Sequence, residues 1–536
     1  MHRIRILCSA IALLCATSVA RGQVYERIDV DDQGQPGDVQ GEAWGDISDE
    51  GRYVAFVSSA TSFGGIDVSG TPDVFLRDRV LATTIRVTST LSPIGAERIQ
   101  QVVRVSGDGS VITFMRGQVP LLRAFVYVRA TGVATEVLLP NIDSIRIDDL
   151  DQTGVHAAII ARNLSGSTDA YRLNLLTGGL VLCSRDFSGL PAGAIRAAID
   201  DDGTHVAFMS TSPALVPEDT NAKADAFVFD IPGGVMLRAS VSTTGVQGNG
   251  DVESISISGD GRFVALTSNS TNLVFGDLNG FSDAFVRDLR LGVTSVVSLT
   301  SFQAPMEWPA GSVIISGDGK SVGFISGAPT PSAPFDTTVD PFVKDLTSGA
   351  LLEAGIPSPY APEGVYLLGL SRDGRDVLIG SQPITPPTTS PLKGIFVVKF
   401  GPRCSTARYC TALPNSTGLA AKIATQGDAS RALNNLVIAA LGMPGDAIAM
   451  LVSGTSAVNP GATFGNGLLC IGGSLIRHGI HVADGGVILD AQDLHSAEYA
   501  GVNPGDTRYY QVYYRDPAAG GANFNTTDAV AVTFCW

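Results

Sequence analysis

The chain has 536 residues, of which 44% are hydrophobic and only 16% are charged. It is too long for one compact core and too apolar for a disordered protein, so two or more domains are expected. With 36 basic and 52 acidic residues the net charge is -16, and no long Lys/Arg run occurs. This balance argues against nucleic acid or an anionic membrane as the partner. The 61 glycines and 28 prolines predict many turns and short strands.

Residues 1–22 have the pattern of a secretory signal peptide. Two arginines precede the apolar run Ile6 to Leu14, and Ser18-Val19-Ala20 supplies the small residues of a cleavage site, with Gly22 as a second cut point. The apolar run is about half the ~20 residues that a membrane-spanning helix needs. We therefore expect an exported protein, either secreted, periplasmic or at the cell surface, with no membrane span.

One short motif recurs along residues 23–402 and organises them. Ile47-Ser48-Asp49-Glu50-Gly51-Arg52-Tyr53-Val54-Ala55-Phe56 is echoed by Ile257-Ser258-Gly259-Asp260-Gly261-Arg262-Phe263-Val264-Ala265-Leu266. Five further copies bring the motif glycines to seven, at positions 51, 109, 154, 203, 261, 319 and 374. Their separations of 58, 45, 49, 58, 58 and 55 residues indicate a repeat with insertions.

Each repeat can be interpreted as four short strands. An apolar strand ends at the serine, and the Asp-Gly turn reverses the chain because glycine accepts positive φ. A second strand such as Tyr53 to Val57, a third such as Asp73 to Asp78 and a fourth such as Thr84 to Val87 follow. Seven four-stranded antiparallel units predict an all-β fold, a seven-bladed β-propeller, whereas a sandwich would not repeat this signature at such spacing.

The last repeat contains only three strands before Pro402. The mature N-terminus, Tyr25 to Val30, has the pattern of a fourth strand and precedes the first repeat. An unpaired third strand would leave an apolar edge exposed. We therefore predict that residues 25–30 pair antiparallel with residues 395–400 and close the ring.

The Ser-x-Asp-Gly-Arg-x-Val-Ala-Phe unit, followed by Asp-x-Phe-Val-x-Asp, resembles the TolB-type, WD-repeat-like β-propeller repeat of exported bacterial proteins. The resemblance covers about residues 24–402 and is strongest at Gly51, Gly261 and Gly319. At Gly154 the acidic turn has become Gln-Thr-Gly. The resemblance implies a ring used for binding and scaffolding, and it carries no catalytic residues to transfer.

Residues 403–536 lack the repeat and form a predicted second domain, a smaller β-sandwich-like fold. Alternation in Tyr509 to Tyr514 and in Val530 to Phe534 predicts strands. The segment Ala429 to Leu441 suits a helix or a strand, and the strand is favoured because a turn and the apolar run Ala447 to Ser453 follow. Residues 404–536 as a whole resemble a cysteine-containing β-domain found at the C-terminus of some secreted bacterial proteins.

Four of the five cysteines left after signal cleavage lie in this last quarter, which predicts disulfides there. The favoured pairs are Cys410–Cys470 and Cys404–Cys535, and the other two pairings stay open. Cys183 stands alone in an apolar stretch and is predicted to be a small buried residue.

The sequence does not contain a recognisable catalytic motif. No Gly-x-Ser-x-Gly pentapeptide occurs, and Asp318 directly precedes Gly319, unlike the Asp boxes of sialidases. His478 and His481 lie three apart on a predicted strand, so alternation would point them to opposite faces. We therefore predict no catalytic residues and no enzyme activity.

Two polar loops before third strands space oxygen-bearing side chains at positions 1, 3 and 7, which calcium favours. Their residues are Asp219, Asn221 and Asp225 in one loop, and Asp277, Asn279 and Asp283 in the other. Neither loop has the distal glutamate of an EF-hand, and Lys223 would repel a cation. Because Asp and Asn also stabilise turns through their own backbone, turn structure is the prediction, without a cofactor, and calcium is the alternative.

These observations favour an exported, non-enzymatic and monomeric binding or scaffold protein. Its propeller loops or channel would bind a protein or glycan of the cell envelope or extracellular space. The alternative is an extracellular polysaccharide-directed hydrolase or lyase whose carboxylates come from several blades. Two or more carboxylates that converge in the channel with perturbed pKa values would favour this alternative.

Overall fold

The computed structural model describes residues 24–536 apart from 39–43, 64–71, 92–97, 119–120, 300–305, 307, 328–338, 348, 355–364, 382–393, 401–404, 427–428, 430–433, 435, 500, 504 and 536. The predicted signal peptide, residues 1–22, lies outside the described residues. The chain divides into two compact units, residues 24–399 and 400–536. Among the described residues, no helix is long and apolar enough to cross a membrane.

The first unit is a β-propeller, and its described residues form seven four-stranded antiparallel sheets. Sheets 1 to 6 each take four consecutive strands, and sheet 7 combines the first strand of the chain with the last three of the unit. The strands of sheets 1 to 3, after β1 (Val24–Arg27), are β2 (Gly45–Ile47), β3 (Tyr53–Ser58), β4 (Asp73–Asp78), β5 (Thr83–Arg86), β6 (Arg98–Val105), β7 (Val111–Gln118), β8 (Leu121–Val128), β9 (Val133–Glu136), β10 (Ile142–Leu150), β11 (His156–Asn163), β12 (Thr168–Asn174) and β13 (Leu180–Leu182). Those of sheets 4 to 7 are β14 (Arg196–Ile199), β15 (His205–Ser210), β16 (Asp225–Asp230), β17 (Val235–Arg238), β18 (Val252–Ile257), β19 (Phe263–Ser268), β20 (Asp283–Asp288), β21 (Val293–Val296), β22 (Ala310–Ile315), β23 (Ser321–Ser326), β24 (Asp340–Asp345), β25 (Leu351–Glu353), β26 (Val365–Leu370), β27 (Asp376–Ser381) and β28 (Gly394–Lys399).

The repeated motif forms the turn between the first two strands of each sheet. In sheet 1 the Ser48 hydroxyl accepts a hydrogen bond from the Tyr53 N–H at 3.0 Å, and Gly51 has φ +67°. In the degraded repeats an aspartate replaces the serine. The Asp200 carboxylate accepts the His205 N–H at 2.9 Å, so the turn survives although the sequence signature does not.

Each sheet buries its central strands against its neighbours. Phenylalanines on the second and third strands stack in pairs, such as Phe56–Phe75 at 5.6 Å and Phe208–Phe227 at 5.7 Å between ring centroids. The ring core therefore repeats from sheet to sheet, as expected when each unit packs only on its neighbours.

The N-terminal strand closes the ring. β1 pairs antiparallel with β28, in the register Val24↔Lys399 to Arg27↔Phe396. The pairing continues through the Ile28 N–H, which donates to the Ile395 carbonyl at 2.8 Å. The predicted closure by the N-terminal strand is confirmed, with ordered strand pairing over 24–27 in place of 25–30.

The described residues of the second unit are also all-β apart from two short 3₁₀ helices. Its strands are β29 (Ser405–Tyr409), β30 (Lys422–Gln426), β31 (Val437–Leu441), β32 (Ile448–Gly454), β33 (Ser456–Phe464), β34 (Gly467–Gly472), β35 (Ile476–Val482), β36 (Ile488–Ala491), β37 (Thr507–Arg515) and β38 (Phe524–Thr533). They form a five-stranded sheet in the order β29-β38-β37-β32-β35, a three-stranded sheet β30-β31-β36 and a hairpin β33-β34. The favoured strand interpretation of the Ala429 to Leu441 segment holds over β31, and residues 430–433 lie outside the described residues.

The predicted disulfide Cys410–Cys470 is present, with 6.2 Å between the two Cα atoms. Cys535 is also disulfide-bonded, and its predicted partner Cys404 lies outside the described residues. Cys183 is buried and free, as predicted.

Candidate functional site

The turns between first and second strands meet at one end of the channel. In each turn, a residue one or two positions after the motif Ser or Asp donates its backbone N–H to a backbone carbonyl in the turn of the next sheet. These bonds form a closed cycle: Asp49 to Gly107, Asp108 to Gln152, Gln152 to Asp201, Asp201 to Gly259, Gly259 to Gly317, Asp318 to Arg372 and Arg372 to Asp49, with distances of 2.8–3.0 Å. We call this cycle the turn ring, and it surrounds one mouth of the channel.

Three charged side chains fill this mouth. Arg372 of sheet 7 donates to Asp49 of the adjacent sheet 1 at 3.1 Å, and it also contacts Asp201 of sheet 4 across the ring. The three side chains are 20% to 37% exposed. Burial raises the pKa of both carboxyl groups, and the Arg372 guanidinium offsets part of that shift.

Glycines in the turn ring make room for these charges. A Cβ at Gly107 would lie 2.6 Å from the Asp49 carboxylate, and a Cβ at Gly259 would overlap the Asp201 carboxylate. Side chains are therefore excluded where the ion pairs sit. The Arg372 side chain spans the mouth from sheet 7 to sheet 4, and the turn-ring glycines leave space for the two carboxylates that it contacts.

Behind the mouth, the wall of the channel carries two further carboxylates and an arginine. Asp46, Arg104 and Asp149 occupy the equivalent position, two residues before the motif Ser or Asp, in sheets 1, 2 and 3. Asp46 accepts the Val105 N–H at 3.1 Å, and Asp149 accepts the Ile199 N–H at 3.0 Å. Each carboxylate thus reaches the first strand of the next sheet.

These wall carboxylates have unusual acidities. Burial raises the pKa of Asp46 to about 6, and the Arg104 charge only partly offsets this. Burial raises the pKa of Asp149 to about 7, and the negative charge of Asp46 adds to the shift. All three side chains are half-buried, so the wall presents a titratable pair with one cation near it.

Sequence reasoning did not identify this wall. The signal was present, because the equivalent position carries Ala198, Ser256, Ile314 and Gly369 in the other sheets, and charged residues there stand out once the repeats are aligned. Whether these positions line the channel depends on the ring, which a single repeat does not reveal.

The two loops predicted as turns, with calcium as the alternative, are both stabilised by hydrogen bonds of their own side chains. In each loop the asparagine amide donates to the aspartate at position 7 at 2.8 Å: Asn221 to Asp225, and Asn279 to Asp283. Lys223 does not face the loop centre, since its ammonium pairs with Asp251 at 3.1 Å. The loops differ at their first aspartate, Asp219 or Asp277.

The second unit contains a Ser–His–Glu chain that the sequence did not reveal. Ser453 Oγ lies 2.7 Å from His478 Nε2, and His478 Nδ1 lies 2.9 Å from Glu498 Oε2. A bulge places His478 outside the regular pairing of β32 with β35, so simple alternation fails there. His481 pairs separately with Asp490 at 2.7 Å.

In these three hydrogen-bonded side chains the serine is buried and the acid is exposed, which is the reverse of a nucleophilic triad. Ser453 is 1% exposed, whereas the Glu498 side chain is 46% exposed. A nucleophilic serine must reach substrate while its acid partner is shielded. Burial also lowers the pKa of His478. The arrangement therefore acts as a buried polar clamp between β32 and β35.

No family model and no curated protein matches the sequence. Among solved structures, TolB from Acinetobacter baumannii matches with 14% identity and a TM-score of 0.37, over 59% of this chain and 65% of that chain. Oligogalacturonate lyase from Vibrio parahaemolyticus matches with 11% identity and a TM-score of 0.45, over 71% and 97%. The β-propeller domain of the Trilobed protease from Pyrococcus furiosus matches with 13% identity and a TM-score of 0.39, over 65% and 92%.

This chain spans about two thirds of the length of the Acinetobacter TolB structure. TolB structures and an oligogalacturonate lyase both occur among the similar structures, so these similarities do not assign an activity. The chain is a β-propeller protein, similar in fold to TolB structures, and its activity must be inferred from its own residues.

Proposed function

We propose that this chain is an exported binding protein that recognises a protein or glycan partner through one face of its propeller. That face carries the connections between second and third strands and between successive sheets, and we call it the long-loop face. The opposite face carries the turn ring. The observation that carries the proposal is the difference in length and closure between these two faces.

The turn-ring face has little freedom to form a binding surface. Its turns between first and second strands are all five residues long, for example 48–52 and 258–262. They are bonded to each other in a cycle, and Arg372 closes the opening. On the long-loop face, segments 211–224 and 269–282 have fourteen residues each. Long loops on a rigid scaffold are where binding residues concentrate.

The long-loop face also exposes apolar side chains. Phe275 and Leu278 in segment 269–282 are 107% and 90% exposed, and Phe187 in segment 183–195 is 76% exposed. Exposed aromatic and aliphatic groups are typical of protein-binding surfaces. This chemistry favours a partner with apolar groups over a small charged solute.

Export is part of the proposal and rests on two observations. Residues 1–22 have a signal-peptide pattern, and the second unit contains the Cys410–Cys470 disulfide. Disulfides persist mainly in oxidising compartments. A binding protein of the cell envelope or extracellular space fits both.

The proposal is tested with the mature exported protein immobilised and exposed to cell-envelope fractions of its source and to a glycan array. The test variant replaces Phe275, Leu278 and Phe281 with serine. The matched control replaces Val80 and Leu81 with serine. These two side chains are 70% and 64% exposed, in turn 79–82 on the opposite face. We expect wild type and control to retain the same partner and the test variant to lose it. Loss in the control alone, or no partner for wild type, would refute the proposal.

A second candidate function rests on the channel wall. Asp46 and Asp149 place two carboxyl groups with raised pKa values in one channel, and glycoside hydrolases use a pair of carboxyl groups of which one has a raised pKa. The closed mouth argues against it, because a polymer would have to enter from the long-loop face alone. Turnover of a polysaccharide substrate, lost in both Asp46→Asn and Asp149→Asn and kept in the surface control Asp260→Asn, would establish this function in place of binding alone.

A further inference from the structure

The two calcium-candidate loops are related by the repeat and can be compared atom by atom. Residues 219–225 precede the third strand of sheet 4, and residues 277–283 precede that of sheet 5, 58 positions later. In both, the asparagine holds one oxygen of the last aspartate. A serine from the end of the fourth strand holds the other: Ser240 for Asp225, and Ser298 for Asp283.

In sheet 4 an arginine supplies the positive charge for this loop. Arg238 Nη1 lies 3.7 Å from Asp219 Oδ1 and 3.7 Å from Asp225 Oδ2. In sheet 1, Arg86 occupies the same repeat position and lies 2.5 Å from Asp73. In sheets 1 and 4, therefore, an arginine of the fourth strand lies next to the buried aspartate that begins the third strand.

Sheet 5 lacks this arginine, and Val296 stands in its place. Asp277 is only 6% exposed, yet within the described part of the chain neither of its carboxylate oxygens has a hydrogen-bond partner. Burial and the nearby Asp283 charge raise the pKa of Asp277 to about 6. A carboxylate buried without a partner is costly. The sheet-5 loop therefore lacks the positive charge that an arginine supplies at the equivalent position of sheets 1 and 4.

We propose that the sheet-5 loop binds one calcium ion between Asp277 and Asp283, in the place that the Arg238 guanidinium occupies in sheet 4. Calcium suits the site because both side chains supply hard carboxylate oxygens, and backbone carbonyls and water complete its coordination. Two carboxylates also match a divalent charge. The sheet-4 loop binds no ion, since the Arg238 guanidinium already lies beside both Asp219 and Asp225 and would repel a cation.

The site would fix an exposed segment of the long-loop face. Asp277 lies between Phe275 and Leu278, whose side chains are the most exposed apolar groups of that loop. Gly276 and Gly280 have φ of +82° and +74°, so the chain turns tightly on both sides of the buried carboxylate. The proposal stands independently of any partner, because it concerns only how this loop neutralises its charge.

The test is isothermal calorimetry with calcium chloride on the chelator-treated, mature full-length protein at pH 7.5. We expect one ion per chain with a dissociation constant of about 10⁻⁴ to 10⁻³ M, the range of extracellular calcium modules. In 10 mM calcium the melting temperature should rise by about 2 °C. An absence of both signals in wild type overturns the proposal.

Three variants locate the ion. Asp277→Asn should lose the calcium heat and the thermal shift. Val296→Arg should lose both as well, while keeping the calcium-free melting temperature at or above that of wild type, because the guanidinium replaces the ion. The matched control Asp219→Asn in sheet 4 should still bind one ion.

Other outcomes count against the proposal. Calcium binding that persists in both Asp277→Asn and Val296→Arg places the ion elsewhere, and binding lost only in Asp219→Asn assigns it to sheet 4. Circular dichroism shows whether Asp277→Asn is folded, and if it is not, Val296→Arg decides the question alone.

Discussion

The two units of this chain hold their strands together in different ways. In the propeller, one turn recurs in every sheet, and backbone bonds link the turns into a cycle. The second unit has no such repeat. Its Cys410–Cys470 disulfide ties the end of β29 to β34 of the hairpin, and the polar clamp links the neighbouring strands β32 and β35. A repeated unit gains stability from many equal neighbour contacts, whereas a small irregular domain depends on a few particular links.

The largest expected effect is the loss of the N-terminal strand. Deleting residues 24–31 removes the edge of sheet 7 and two buried apolar side chains, Ile28 and Val30, which are 0% and 5% exposed. It also removes the Glu26–Arg79 ion pair to sheet 1. We expect the free energy of unfolding to fall by at least about 5 kcal/mol in urea denaturation, from lost burial and an exposed strand edge.

The control for this deletion is Gln33→Ala in the exposed turn that follows, which should change stability by less than about 0.5 kcal/mol. Unchanged urea unfolding of the deletion would show that the ring does not depend on its closing strand. The propeller would then resemble an open array of sheets.

The second effect belongs to the other unit. Replacing Cys410 and Cys470 with alanine opens a loop of 60 residues, which should cost about 4 kcal/mol in the chain-entropy model. Hydrogen–deuterium exchange should show a loss of protection in residues 405–535 and unchanged protection in the propeller. Cys183→Ala, which alters the ring alone, is the control. Equal loss of protection in both units would contradict the division of roles.

The third prediction tests the turn ring. Gly259→Ala would place a Cβ against the Asp201 carboxylate and displace it from Arg372. The expected cost is about 2 kcal/mol, as for other overpacked sites. In an Asp201→Ala background the same change should cost little. A similar cost in both backgrounds would show that the glycine is required for another reason.

The fourth prediction concerns how the stability of the ring depends on pH. The pKa of Asp149 is raised to about 7, so the folded state binds its proton more tightly than the unfolded state. Its contribution is therefore favourable below about pH 4 and is lost as the pH rises toward 7. Asp149→Asn should therefore stabilise the ring more at pH 8 than at pH 4.5. Equal effects at both values in thermal unfolding would contradict this reasoning.

The smallest expected effect has the opposite sign and lies in the second unit. Burial lowers the pKa of His478, so the folded state favours the neutral ring. Stability is then full above the unfolded His pKa of about 6.5 and declines as the pH falls through it. The hydrogen-exchange protection factors of β32 and β35, corrected for the intrinsic exchange rate at each pH, should fall between pH 7 and 5, and His478→Gln should remove this dependence. Its persistence in the variant would assign it to another group.

The repeat was predictable because it depends on the conformational preferences of residues that are adjacent in the sequence. The motif serine, the Asp-Gly pair and the alternating strand that follows specify a turn and a strand within ten residues, so the strand order of each sheet could be inferred directly. The third strands Asp73–Asp78, Asp225–Asp230 and Asp283–Asp288 have the predicted bounds. Ring closure was predictable for a related reason, because three strands were left without a fourth.

What the sequence could not determine is which distant side chains share one environment. Asp49, Asp201 and Arg372 are separated by more than 150 positions from each other, and only the closed ring brings them to one mouth. The Ser453–His478–Glu498 chain depends on a bulge that alternation does not foresee. The difference between Asp219 and Asp277 lies in a residue of the fourth strand, outside either loop. Local pattern fixes backbone conformation because turn and strand preferences act over a few residues, whereas charge and burial are properties of neighbours that only tertiary packing supplies.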